Sequence, residues 1–438
     1  MNCKFPIENS ILDQVLQEKS ITNLDSPSIR DIVDIVDILQ EKSAVEFLRM
    51  EIGSPGLPSP EIGIKAQQEA LSKGVSMQYA SVHGIPELKK EASRFVKSFV
   101  GIDVPPASCV TSVGSMQGGM VSMIAAMHAM PERDTLLFID PGFAVQKLQC
   151  EVMRYKYVTF DIYEHRSEKL EAKLREMITQ NKLCALIYSN PNNPTWMCLT
   201  EKELEVIGRL ATEFDLLVIE DLAYFCMDFR LNLADPTSAP YQPTVARYTD
   251  NYVMHISSSK TFSYAGERIS LAVISPKLYQ RNFENYRHIY NNTKFGTVYI
   301  NGILYALSSG CSHSAQYALC AMMKAASDGA FDFVSNIKEY GNRAKRLKKI
   351  FLQYGFNIPY ELDGEQPIAD GFFFTLNYGE MTSHDLLYNL LRHGISATTL
   401  KSTGAEKSGI RACTSMTHDL IIDQLEERLT LFTKEFPI

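Results

Sequence analysis

The sequence has 438 residues and 49.3 kDa, with 45% hydrophobic and 21% charged residues. That composition belongs to a folded globular chain with core enough for two or three domains, and it excludes disorder, collagen and coiled coil. With 51 acidic residues against 43 basic ones and a net charge of −8, nucleic acid and anionic membrane are poor partners, while a local basic pocket for a small anion stays compatible.

Residues 1–24 begin MNCKFPIENSILDQ without an apolar signal region, and no apolar run near ~18 residues occurs. The expectation is a soluble, untargeted, cytoplasmic protein. The nine cysteines are scattered without a CxxC pair, which predicts reduced thiols and neither a disulfide framework nor a zinc or other metal site. Two short helices are predicted before Met50. IGSPGLPSPEIG at 52–63 then concentrates Gly, Pro and Ser and marks a boundary or a functional loop.

From Glu61 to about Pro276, apolar runs alternate with helical segments: CVTSV at 109–113, TLLFI at 135–139, CALIYS at 184–189, LLVIE at 216–220 and YVMHIS at 252–257. Continuous apolar strands between helices predict a parallel sheet covered on both faces. One helix is well marked: Thr200 and Glu203 form a capping box, and Leu204, Ile207, Leu210, Ala211 and Phe214 recur at helical spacing. ISLAVIS at 269–275 starts only twelve residues after YVMHIS ends, too close for a packed crossover, so this strand is predicted antiparallel. After Cys311 the chain turns helical. Val334, Ile337, Ala344, Leu347, Ile350 and Tyr354 predict a long amphipathic helix ending near Gly355, and FFFTLNY and GIRACTS add strands to an α+β tail.

Polar clusters follow the predicted strands in order: Gly114-Ser115-Met116-Gln117, Asp140-Pro141-Gly142-Phe143, Asn190 to Thr195, Asp221-Leu222-Ala223-Tyr224 and Ser258-Ser259-Lys260. Ligands of open α/β sheets bind at that edge. Singly, each has a plain reading. NPNNP is a turn, Lys260 a solvated lysine, Asp221 a helix cap, Arg268 and Arg411 surface ion pairs, and the stripe Met116, Met120, Met123 and Met127 core packing. Five clusters in succession point to a site.

Together, NPNNPT at 190–195, DLAY at 221–224, SSSK at 257–260, GER at 266–268 and GIR at 409–411 resemble the fold-type I, class I/II pyridoxal-phosphate-dependent aminotransferases. The spacings match too: 28 residues from Asn193 to Asp221, 36 from Tyr224 to Lys260 and eight from Lys260 to Arg268. The resemblance runs from about residue 28 to the C-terminus. It implies an aspartate-aminotransferase-like α/β fold: a large cofactor-binding domain over 61–310, whose mostly parallel sheet has one antiparallel strand, and a smaller α+β domain from 1–60 and 311–438.

The resemblance also implies roles. Lys260 forms the Schiff base with pyridoxal 5'-phosphate and afterwards serves as the base, which asks for a neutral amine favoured by burial beside cations. Asp221 faces the pyridine nitrogen, Tyr224 and Asn193 the phenolic oxygen, and Phe143 stacks on the ring. Gly114, Ser115 and Met116 at a helix N-terminus, with Ser257, Ser259 and Arg268, take the phosphate. Tyr79 reaches the phosphate of a neighbouring subunit in a homodimer with shared sites. Arg411 grips the substrate α-carboxylate as a planar fork, with Asn193 and the backbone of Gly53 beside it.

The implied activity is ping-pong transfer of an amino group from an L-amino acid to a 2-oxo acid. A C–S β-lyase or other α,β-eliminating enzyme on the same residues is the alternative. A regulator's sensor domain is disfavoured, because only about 27 residues precede the resemblance. Trp196 departs from the family, which keeps glycine after NPxNPT; it is read either as lying outside the pocket or as lining its entrance. Arg287 and His288 fall near a region where acid-specific relatives keep a second arginine, and are read here as a solvated loop.

Overall fold

The computed structural model describes residues 5–25, 27–417 and 419–438, so the first four residues of the opening stretch, Cys3 among them, lie outside the described part. The two predicted N-terminal helices are α1 (Asn9–Glu18) and α2 (Ile29–Ser43), the second capped reciprocally by Ser28 and Asp31. The Gly/Pro/Ser stretch is extended only as far as Pro60. There α3 (Glu61–Ser72) begins, and α4 (Pro86–Val100) follows it with proline at its first position.

Strands and helices then alternate: β1 (Cys109–Ser112), α5 (Gly114–Ala129), β2 (Thr135–Asp140), α6 (Ala144–Met153), β3 (Lys156–Asp161), α7 (Glu168–Gln180), β4 (Leu183–Ser189), α8 (Glu201–Glu213), β5 (Leu217–Leu222), β6 (Tyr252–Ser257) and β7 (Ser270–Ile274). They build one seven-stranded sheet in the order β1-β7-β6-β5-β4-β2-β3. Only β7 runs against its neighbours, antiparallel to β1 and β6, as the short link before it requires. Leu137, Leu186 and Val218 enter the core on one face, while Leu136, Ala185 and Ile219 enter the core on the other. Burial on both faces is why these strands read as unbroken apolar runs. β3 gives no such signal: it lies at the edge, Lys156 and Thr159 are exposed, and only its last two residues are buried.

Beyond β7, α9 (His313–Ser327) packs on α3 and α4, and α10 (Phe333–Gln353) is the expected amphipathic helix, followed by Gly355 at φ 83°. The tail forms a four-stranded antiparallel sheet from β8 (Phe356–Asn357), β9 (Phe373–Tyr378), β10 (Thr398–Thr399) and β11 (Ile410–Cys413), in the order β10-β11-β9-β8. Leu12, Ile35 and Leu39 near the N-terminus share a third buried core with Leu347, Phe374 and Leu425. Both chain ends therefore meet in one hydrophobic cluster.

The methionine stripe of α5 needs a correction. Met123 is enclosed and Met120 and Met127 are half-buried, but Met116, in the first turn of α5, is 40% exposed. Among the described residues, eight cysteines are free, and no helix is long and apolar enough to cross a membrane.

Candidate active site

Six parallel strands deliver their C-terminal ends to one edge of the sheet, and the polar clusters follow five of them there. Lys260 lies in a short helical turn, Ser258–Thr261, directly after β6, and Ser257 caps that turn by accepting from the Ser259 amide at 3.2 Å. The Lys260 ammonium donates to the Gly53 carbonyl from the N-terminal stretch and stands 5.4 Å from the centroid of the Phe372 ring. Burial pushes its amine down to about 8; Cys413 opposes that shift and Arg268 and Arg411 reinforce it.

Asp221 is the penultimate residue of β5 and is 8% exposed. Its Oδ2 accepts from Gln146 Nε2 at 3.1 Å, and its Oδ1 has no partner. Burial pushes this carboxyl up to about 7 against the Ala223 amide and Gln146. A buried carboxylate normally has a cation beside it; a protonated ring nitrogen would complete this one. Tyr224, three residues on, is buried with Asn193 beside its hydroxyl, and burial raises its phenol well above the ordinary tyrosine range.

Arg411 arrives from β11, 3% exposed. It donates to the Glu51 carbonyl and to Asn193 Oδ1 (3.3 Å), its Nε is unpartnered, and its guanidinium lies 4.5 Å over the Phe373 ring. A carboxylate would supply the acceptor this fork lacks.

At the other end of the cleft Gly114 opens α5 at φ 69°, and a Cβ there would stand 2.4 Å from Arg268 Nη2. Only glycine lets this arginine lie against the helix N-terminus. Arg268, itself at φ 50°, donates to Ser259 Oγ (3.4 Å) and the Ala265 carbonyl (2.9 Å), is solvent-exposed, and has no carboxylate partner among the described residues. Free amides of Gly114, half-buried Ser115 and exposed Met116 face the same end. A cation and a helix N-terminus without an acid form an anion cradle. The orphan Asp221 oxygen, the buried amine and this cradle fit pyridoxal phosphate.

Phe143 is half-buried at the N-cap of α6. Tyr79 is not brought into contact with these groups: it follows the turn Val75–Met77 and is 96% exposed in the single chain. The Asn193–Pro194 bond is cis. Arg287, on a short helix, Asn285–Tyr290, is exposed and pairs with Glu284 just before that helix. Trp196 is 0% exposed and packs behind the site, against Tyr224, which departs from an entrance lining and agrees with a place outside the pocket.

Three contributors were not singled out from the sequence. Gln146 lies on the first turn of α6, three residues after Phe143, and that spacing is its only signal. Phe372 and Phe373 lie in a run that reads simply as strand, and only the tertiary fold brings them under Lys260 and Arg411.

The sequence model of the aminotransferase class I and II family matches residues 46–427. A probable aspartate aminotransferase of Methanocaldococcus jannaschii is 25% identical over 256 residues, 58% of this chain and 62% of that protein. An asparagine–oxo-acid transaminase of Streptococcus mutans is 25% identical over 233 residues, 53% of this chain and 58% of that protein. The matched stretch thus spans less than two thirds of each of these relatives. An alanine aminotransferase from Pyrococcus furiosus has the same fold at a TM-score of 0.75 and 19% identity, covering 93% of this chain and 97% of that one.

Proposed function

The chain belongs to the class I and II aminotransferase family, and from that membership we propose that it moves an amino group from an L-amino acid to a 2-oxo acid, with pyridoxal 5'-phosphate held on Lys260. The observation that carries this reading is the Asp221 carboxyl, buried with one oxygen unpartnered, in the same cleft as the Lys260 amine and the Arg411 fork. When bound, pyridoxal phosphate supplies the electron sink that makes a substrate's α-proton labile.

The chain's own residues do the rest. Asp221 in its ionised form holds a proton on the ring nitrogen. Tyr224 Oη and Asn193 Nδ2 orient the phenolic oxygen. The Gly114, Ser115 and Met116 amides, with Ser257, Ser259 and Arg268, anchor the phosphate, and Phe143 covers the ring face. Arg411 fixes the substrate carboxylate beside Asn193 and Gly53. Lys260 Nζ is the group that would carry the substrate's α-proton. An amine brought down to about 8 has a usable neutral fraction near pH 7, which a base at this place needs. Both half-reactions share one site, so the kinetics are ping-pong.

The reading includes a cytoplasmic homodimer in which Tyr79 completes the partner's phosphate site. It also includes two lobes, 61–310 and 1–60 with 311–438; the core shared by both chain ends supports the second lobe.

The test is a purified preparation with pyridoxal phosphate. A visible cofactor band, fixed by borohydride onto the peptide bearing Lys260, is expected, together with loss of band and turnover in Lys260→Ala. A Lys260→Ala protein that still turns over would refute the assignment. A panel of amino donors, aspartate, asparagine and alanine first, with 2-oxo acids as acceptors, then identifies the substrates. Ammonia and pyruvate released from cystathionine without a 2-oxo acid would replace transfer by elimination.

A further inference from the structure

Trp196 is the only tryptophan of the sequence, and it stands where the resembling family keeps glycine. It retains a glycine-like backbone, φ 67°, yet it is 0% exposed. A bulky side chain in that region carries a conformational cost that glycine avoids, so contacts of the ring must offset it. Those contacts are two aromatic rings. Tyr224 lies 5.0 Å away at 62° and Phe373 6.2 Å away at 63°, and these two rings are themselves 5.5 Å apart at 85°. The three form an edge-on triangle.

Opposite the triangle is Gly371, where a Cβ would stand 1.9 Å from indole Cε2, so the space for the indole exists only because that position has no side chain. The indole Nε1 has no acceptor among the described residues, so packing alone sets the ring's place. Each partner ring carries a group of the site. The Tyr224 hydroxyl lies beside Asn193, and the Phe373 face supports the Arg411 guanidinium at 4.5 Å.

We propose that Trp196 is a positioning residue: its indole clamps Tyr224 and Phe373 together, setting the Tyr224 hydroxyl against the cofactor's phenolic oxygen and Arg411 against the substrate carboxylate. This rests on the function proposed above, and its test must fail separately from that function.

In wild-type protein, emission from this single indole falls when pyridoxal phosphate binds, because the ring lies one aromatic neighbour from the cofactor. Unchanged emission on binding would overturn the proposal without any variant. Trp196→Gly deletes the ring and leaves a backbone that glycine prefers; Trp196→Phe keeps an edge-on aromatic. With each protein loaded, the pH midpoint of the visible band is titrated. Losing one fixed hydrogen bond to the phenolic oxygen moves that midpoint by about one pH unit in Trp196→Gly, and Trp196→Phe brings it most of the way back. Gly371→Ala, which displaces the indole without removing it, shifts the midpoint in the same direction. A folded Trp196→Gly or Gly371→Ala with the wild-type midpoint would overturn the role. Absence of any band in wild type would instead overturn the proposed function.

Discussion

Asp221 shows what the proposed cofactor site would demand of one side chain. Its free carboxyl would titrate near 3.8, whereas in the folded chain burial takes it to about 7. Between those values the folded state holds a proton that the unfolded state has released. Its contribution to stability is therefore complete below 3.8 and lost as pH rises through 7. Above 7 a buried charge is left with only the Ala223 amide and Gln146, without a cation, and that is the state a protonated ring nitrogen would relieve. Asp221→Asn should thus make the cofactor-free protein more stable at pH 8, on the order of 1–3 kcal/mol, with the gap narrowing toward pH 5. Pyridoxal phosphate should reverse the order, because only the carboxylate gains a partner. Thermal unfolding of both proteins, with and without cofactor, checks this; equal midpoints at pH 8 without cofactor would show that the buried charge costs nothing.

Among the elements, the entry to α8 joins a local signal to a long-range one. Thr200 Oγ1 accepts from the Glu203 amide and the Glu203 carboxylate accepts from the Thr200 amide, the reciprocal cap read from the sequence. The same carboxylate also binds buried Arg166 at 2.6 Å, and Arg166 reaches Asp363 at 2.7 Å in the segment between α10 and β9. Thr200→Ala removes only the cap and should cost about 1 kcal/mol. Glu203→Ala strips one acid from a buried guanidinium as well and should cost about 3–5 kcal/mol. Urea unfolding that ranks them the other way would mean the ion pair contributes little. The contrast explains what the sequence discloses. Caps, apolar strands and the NPNNPT and SSSK turns rest on neighbours close in the chain, so the helix starts, the antiparallel β7 and the grouping of Lys260, Asp221 and Arg411 are legible. The half-exposed edge strand β3, the Phe373 platform and the cavity that Gly371 leaves for Trp196 depend on residues far apart, and no local pattern announces them.

For the whole molecule, the charge balance of −8 averages over a local grouping of cations, Lys260, Arg268 and Arg411, which in the proposed function would meet a phosphate and a carboxylate. On the outer surface Met77 is 84% exposed and Tyr79 96%. In the proposed homodimer a second copy of the chain would cover them, and the same contact would carry Tyr79 toward the neighbour's Arg268 end, where its hydroxyl would join the cation, the amides and the serine hydroxyls. Sedimentation should therefore give a particle about twice the 49.3 kDa of the chain. Tyr79→Phe removes only the hydroxyl and should leave that mass unchanged while weakening pyridoxal phosphate binding about tenfold, the worth of one hydrogen bond to a charged group. A dimer whose cofactor affinity ignores Tyr79→Phe would place the tyrosine in the interface without a share in the site, and a monomer that binds the cofactor at full strength would remove the need for a partner altogether.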